Sequence, residues 1–234
     1  MPPRWSSGDQ PGGLRLTDLA EHVDLPKTTV HRLIGALGEE GLVRTDPVGR
    51  IWLGPTLTAL SAVAAGDLAR QLRPILLSLY ERAGETVDLA VLDGPSVRFV
   101  DQVQSAQRLH AVSAVGARFP LHCTANGKAL LAALPLEQAD RLLPEHLEAF
   151  MPHTVTDRAS LFEELAQVRK EGLAHDRQEH TLGIEAIGAA ITTADGPVAA
   201  ISVPAPSERS ARLAALADDV RRAARTASIM LSEV

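Results

Sequence analysis

The 234-residue chain has one cysteine, Cys123, which excludes an internal disulfide and suits a reducing cytoplasm. Aromatic residues number only seven (two Trp, one Tyr, four Phe), so Leu, Val, Ile and Ala must fill any core. No apolar run approaches the roughly 18 residues that a membrane-spanning helix requires, and the polar, Gly/Pro-rich N-terminus lacks the apolar stretch of a secretory signal. Positive charge is not in surplus either. The formal net charge is −6, and residues 1–54 hold six Lys/Arg against seven Asp/Glu. Indiscriminate coating of nucleic acid is therefore excluded. Any binding to DNA must rest on where charges sit, and on two copies acting together. What is present is 45% hydrophobic residues, ample for one or two packed domains.

Residues 14–54 read as a helix-turn-helix followed by a two-stranded wing. Thr17 is suited to cap a first helix, with Asp18 and Glu21 in its first turn and Leu16, Leu19, Ala20 and Val23 as its apolar stripe. Asp24-Leu25-Pro26 breaks the chain, and Pro26 suits the start of a second helix. In that helix Val30, Leu33, Ile34 and Leu37 fall at i, i+3, i+4 and i+7, which predicts a buried face. Thr28, His31 and Arg32 lie opposite, and Lys27 and Thr29 flank the N-terminal end, where backbone N–H groups point outward. Gly41 ends the helix. Strands over 42–44 and 50–53 then enclose the turn Asp46-Pro47-Val48-Gly49, bracketed by Arg44 and Arg50 as phosphate contacts. The candidate DNA-binding set is Lys27, Thr28, Thr29, His31, Arg32, Arg44 and Arg50.

Gly54-Pro55 punctuates the end of this domain. A helical stretch over 56–83 is expected to be interrupted at Gly66 and Pro74 and closed by Gly84. Strands are predicted over 86–92, 97–103 and 109–115, helices over 130–143 and 161–169, a hairpin of 187–193 with 198–203, and a long helix over 208–232. Hairpins with helices at both ends indicate an α+β sheet domain. Chemistry concentrates in two segments. In 119–131 an extended run turns into a helix near Thr124, presenting the N–H groups of Ala125, Asn126 and Gly127 as a cradle for a small anion. In 175–184 a strand enters a polar loop able to hydrogen-bond a ligand.

These segments carry a resemblance. LPKTTVHRLIGALGEEGLV at 25–43, GRIWLG at 49–54, RFPLHCTANGKALLAALP at 118–135, TVTDRASLFEELAQVRKEGLAHDRQEHTLGIEAIGAAI at 154–191 and the DGPVAAISVPAP hairpin together resemble IclR-type bacterial transcriptional regulators over nearly the whole chain. The resemblance implies an N-terminal winged helix-turn-helix over 1–54, a linker helix over 55–67 and a GAF-like α/β effector-binding domain over 68–234. It further implies a cytoplasmic repressor or activator, dimers often paired into tetramers, a palindromic operator, and DNA affinity set by a small organic acid or aromatic metabolite. Carried over by position, the effector contacts are Ala125, Asn126, Asp176, Ile184 and Ala186, with Cys123 and Glu179 as neighbours. Alanine at 186, where some relatives are polar, shifts the pocket toward a more apolar ligand. Relatives have a full helix before Leu14, which MPPRWSSGDQPGG cannot form. The expectation is that further residues lie upstream of Met1.

Two other chemistries fit the residue types less well. His122, Cys123, Asp176 and His180 are zinc-ligand types, but adjacent pairs in distant segments lack the spacing of a structural zinc site, and no cofactor is expected. Cys123 beside histidines permits a thiol nucleophile, but no orienting third group is evident, so the chain reads as a non-enzyme. The Arg-rich C-terminal run is interleaved with Glu208, Asp218 and Asp219 and reads as a solvated helix face. The alternative to a ligand-responsive regulator is a small-molecule sensor whose DNA binding is impaired by the absent first helix.

Overall fold

In the computed structural model, which describes residues 13–108, 111 and 113–233, the chain divides into two units between Asp67 and Leu68. The first unit contains β1 (Leu14–Arg15), α1 (Leu16–Val23), α2 (Lys27–Glu39), β2 (Val43–Thr45) and β3 (Arg50–Leu53). Its three strands pair in the order β1-β3-β2, all antiparallel. Leu19, Ala20, Val30 and Ile51 form its small core. This is a winged helix-turn-helix, as the sequence predicts.

Several local features differ from expectation. Arg15, not Thr17, precedes the first helical residue of α1; Thr17 lies inside the first turn with its hydroxyl on Asp18. Strand β1 begins at Leu14, so the hairpin gains a third strand that two residues alone did not signal. On α2 only Val30 is buried and Ile34 half-buried, whereas Leu33 and Leu37 remain 46% and 38% exposed. Four residues at helical spacing span more of the surface than α1 and the wing cover. The reading of the segment before Leu14 falls on residues 1–12, outside the described residues, apart from Gly13.

The second unit is organised by one sheet buried on both faces. Helix α3 (Pro55–Ala83) crosses the division between the units without a break, despite Gly66 and Pro74. Pro74 removes one helical N–H, but Leu72, Leu76 and Leu79 on the same stripe are buried and hold the helix in register. Six strands follow: β4 (Val87–Asp93), β5 (Ser96–Val103), β6 (Arg118–Pro120), β7 (Ala174–Arg177), β8 (Ile184–Thr193) and β9 (Gly196–Pro206). They form an antiparallel sheet in the order β6-β5-β4-β9-β8-β7. The helices are α4 (Ala125–Ala133), α5 (Leu136–Leu142), α6 (Arg158–Glu171), α7 (Ser210–Ala215) and α8 (Ala217–Ser232).

Strand alternation sorts the side chains. On β9, Ala199, Ile201, Val203 and Ala205 face α3, α7 and α8. The residues between them, Ala200, Ser202 and Pro204, face the α4–α6 side. On β4, Leu89 goes with the first set, and Asp88 and Ala90 with the second. The helix expected over 130–143 is two helices, because Pro135 starts a new one; α4 begins at Ala125, in agreement with the helix start read near Thr124. The C-terminal helix is likewise broken, by a 3-10 turn at Ser207–Arg209 and a second break at Leu216. The strand predicted over 109–115 falls partly on 109, 110 and 112, outside the described residues. Its described residues are not in a strand, and the carbonyls of Ala111 and Ser113 bond the side chains of Thr86 and Gln102 instead.

Helix α4 lies close to its surroundings because Gly127 has no side chain: a Cβ there would sit 2.3 Å from the Leu121 carbonyl oxygen. At Gly66 a Cβ would meet nothing within 4 Å. Gly127→Ala is therefore expected to lower the melting temperature by several degrees, whereas Gly66→Ala raises stability by about 0.5–1 kcal/mol through helix propensity alone. Thermal unfolding of the two variants checks the contrast.

Candidate functional site

Two surfaces concentrate the predicted site residues. On α2, Lys27, Thr28, His31 and Arg32 are exposed and Thr29 is half-buried, with no acidic residue in the first turn. The wing beside it is built on Asp46. Its Oδ1 accepts from the N–H groups of Val48 and Arg50, and its Oδ2 accepts from Trp52 Nε1 at 3.0 Å. These bonds, that from Trp52 foremost, hold the Asp46 carboxyl below its usual range. The two wing arginines differ. Arg44 is exposed and lies over the Trp52 ring, 5.2 Å from its centroid. Arg50 is half-buried and donates to the Gly13 carbonyl at 3.1 Å, so it also serves the fold.

The second surface is a cavity of about 260 Å³ on the α4 side of the large sheet. Of the expected effector contacts, Ala125, Asn126, Asp176, Ile184 and Ala186 line it. Thr124 caps α4, with Oγ1 accepting from Gly127 N–H at 3.2 Å. Of the three N–H groups expected to form the cradle, that of Gly127 is thus already used. Asn126 is buried; its Nδ2 donates to Ser202 Oγ at 2.9 Å, while its Oδ1 lacks any hydrogen-bond partner among the described residues. The cavity wall is partly aromatic. Phe99 packs edge-on against Phe119, and Phe119 stacks on His180 with ring centroids 4.3 Å apart. Burial, aided by nearby His122, lowers the His180 pKa, favouring the neutral ring.

Cys123 and Glu179 are not among the lining residues. Cys123 is fully buried, and burial, reinforced by Asp176 and Glu179, pushes its thiol up to about 12. A thiol so protonated is no nucleophile at neutral pH. His122 Nε2 pairs with the Glu148 carbonyl at 2.9 Å, and His180 Nδ1 with Thr181 Oγ1. His122, Cys123, Asp176 and His180 do not form a metal-binding cluster among the described residues.

Two residues essential to the geometry escaped the sequence reading. Lys128 is completely buried, one turn into α4, and its Nζ donates to Glu179 Oε1 and Oε2 at 2.7 and 2.8 Å and to Glu164 Oε1 at 2.7 Å. This cluster ties α4 and α6 to the turn after β7. There Asp176 Oδ1 accepts from Glu179 N–H at 2.8 Å, and Gln178 adopts φ 61°. Asp88 is the other: 1% exposed, it lines the cavity, accepting from Gln102 Nε2 at 2.7 Å and Ser113 Oγ at 2.8 Å. Burial drives the carboxyls of both Asp88 and Asp176 up to about 7, against the lowering effect of these hydrogen bonds. A single Lys within an apolar helix, and an Asp between core residues of a strand, have no spacing signature. The only signal for either was a charge at a position whose neighbours are all core residues.

Comparison with known proteins places this architecture. Residues 60–229 match the family described as bacterial transcriptional regulator IclR C-terminal, and residues 8–47 match the IclR helix-turn-helix domain. The chain is 45% identical to HTH-type transcriptional regulator Rv1719 of Mycobacterium tuberculosis, over 85% of this chain and 77% of that protein. It is 36% identical to the transcriptional repressor IclR of Escherichia coli, over 85% and 75% respectively. Among solved structures it is similar to the Thermotoga maritima IclR, with a TM-score of 0.66 at 27% identity, covering 96% of this chain and 93% of that one.

Two outcomes follow from the buried charges. Lys128→Met, which strands the 4%-exposed Glu179 without its cation, is expected to cost about 3–5 kcal/mol in denaturant unfolding. Asp88 and Asp176 bind protons more tightly folded than unfolded. Their contribution to stability is thus full below the ordinary carboxylate pKa and is lost as pH rises toward about 7. Melting temperatures measured between about pH 5 and pH 8 should fall less steeply for Asp88→Asn than for the parent chain.

Proposed function

The chain belongs to the IclR family of bacterial transcriptional regulators, and from that premise we propose how its parts divide the work. Residues 1–54 read a palindromic operator, with Lys27, Thr28, Thr29, His31 and Arg32 of α2 at the major groove and Arg44 and Arg50 of the wing at the phosphates. Residues 55–67 serve as the linker helix, and 68–234 hold a small organic acid or aromatic metabolite in the cavity at Asn126 and Asp176. The observation that carries the effector assignment is Asn126 Oδ1, buried and without a partner among the described residues in an aromatic-walled cavity. A buried acceptor left unpaired costs free energy, and a bound molecule that donates to it recovers that cost. The helix-turn-helix match favours the regulator over a sensor that has lost DNA binding.

The protein works in the cytoplasm as a homodimer or a dimer of dimers and carries out no catalysis. Among the described residues no helix is long and apolar enough to cross a membrane. The exposed Leu60 and Val63 on α3 support pairing of two copies, which doubles the phosphate contacts available to an acidic chain. The effector shifts operator affinity only to the extent that it binds one dimer geometry better than another.

Footprinting on the DNA flanking the gene, with and without effector, tests this division. Arg32→Ala or Thr28→Ala should erase the footprint and leave ligand binding intact, whereas Asn126→Ala or Asp176→Asn should keep the footprint and erase the response. A footprint indifferent to the α2 substitutions would overturn the recognition-helix assignment.

A further inference from the structure

The polar groups facing the cavity are unbalanced in a way that narrows its ligand. Among the described residues, two aspartates line it and no Lys or Arg does. Register separates the two carboxyls. Asp88 on β4 pairs with Ser202 on β9, while Asp176 on β7 pairs with Ala186 on β8, which pairs with Pro204. Asp88 and Asp176 thus stand on one face of the sheet with two strands between them, at opposite ends of the cavity floor. Three strand intervals of about 4.8 Å each, and a two-residue offset along β9 from Ser202 to Pro204, lie between them.

The Asp88 end is fixed and acceptor-rich. Gln102 Nε2 divides its hydrogens between Asp88 Oδ1 and the Ser113 carbonyl, and Ser113 Oγ donates to Asp88 Oδ2. Each Asp88 oxygen accepts one of these bonds and keeps capacity for another. Asn126 reaches the same face through Ser202 Oγ, itself on the residue paired with Asp88, and leaves Oδ1 unpartnered. Above the pKa of about 7 that burial gives Asp88, carboxylate and amide oxygen both call for a hydrogen-bond donor. A ligand carboxylate placed there would meet like charge, with no cation among the described lining residues to offset it. The ring wall of Phe99, Phe119 and His180 suits a flat apolar body between the two ends.

We propose that Asp88 and Asn126 Oδ1 form a donor-seeking end of the effector cavity, which selects a small ring compound bearing a hydroxyl or amine there and rejects a dicarboxylate. This narrows the effector class within the reading that the cavity is the effector site, and depends on that reading. Asp88 acts as a specificity-determining residue, held in place by Gln102 and Ser113.

Isothermal titration of the full chain at about pH 8, where ordinary carboxylic acids are ionised, tests it with three para-substituted probes on one ring. These are 4-hydroxybenzyl alcohol, 4-hydroxybenzoate and terephthalate, which replace neutral donors stepwise by carboxylates. The alcohol should bind at least about tenfold more tightly than terephthalate, the span expected for a charged acceptor gaining or losing a donor. Asp88→Asn should weaken the alcohol about tenfold while melting no lower than the parent, which separates lost recognition from lost folding. Terephthalate binding as tightly as the alcohol, or Asp88→Asn binding the alcohol like the parent, overturns the donor-seeking end and leaves the effector cavity standing. Failure of all three probes at millimolar concentration overturns the inference as well. Binding in the expected order with no change in the operator footprint would instead bring down the regulatory reading.

Discussion

A positive charge buried without water must be answered by negative charge at hydrogen-bond distance, and Lys128 imposes that demand at the centre of the effector-binding unit. Its ammonium is completely enclosed, so Glu179 and Glu164 are both committed to it. Glu179 in turn fixes the chain after β7, since Arg177 N–H bonds its carboxylate and Thr154 Oγ1 bonds its carbonyl. The turn so defined places Asp176 at the cavity. Two residues before Lys128, Asn126 faces the same space from the start of α4. One ion cluster outside the cavity therefore sets the positions of two groups inside it. Buried ion pairs contribute little net stability compared with apolar packing, so the cluster is better understood as a device for position.

The sheet supplies the complementary constraint. Covered on both faces, it offers alternate residues of β4, β8 and β9 to two different environments. One set is uniformly apolar and packs against α3, α7 and α8. The other includes Asp88 and Ser202, joined on the same face by Asp176 of β7, polar groups that are tolerated because each has a hydrogen-bond partner. Among the described residues the exception, Asn126 Oδ1 of α4, marks where hydrogen bonding within the chain is left unfinished.

How much of this could be read from the sequence depended on periodicity. The α1–α2 motif, the wing and the β8–β9 hairpin were legible because apolar spacing and turn residues agreed there. The cavity residues Ala125, Asn126, Asp176, Ile184 and Ala186 came from family resemblance, not from pattern. Pro74 misled, because tertiary packing along Leu72, Leu76 and Leu79 outweighs one missing helical bond. Leu33 and Leu37 misled in the opposite sense: helical spacing says which residues share a face, not whether anything covers it. Thr17 was a plausible cap placed two positions late, since β1 runs directly into α1 and leaves no room for a separate capping turn. Asp88 and Lys128 stayed invisible because each is a charge set between core residues, and their partners are distant in sequence.

Gly188 on β8 stands beneath the first turn of α4. A Cβ there would lie 3.2 Å from the Ala125 backbone carbon and from Ser202 Cβ. The helix that carries Asn126 thus rests on a bare strip of backbone, where an added Cβ would press Ala125 or Ser202 to give by a few tenths of an ångström. Ala186, two residues away on the same face, opens instead onto the cavity. Anyone retuning this protein as a biosensor would meet an uneven landscape. Under the proposed reading, selectivity is set by what projects into the space at Ala186 and its neighbours, while the support under α4 leaves little room for an added side chain.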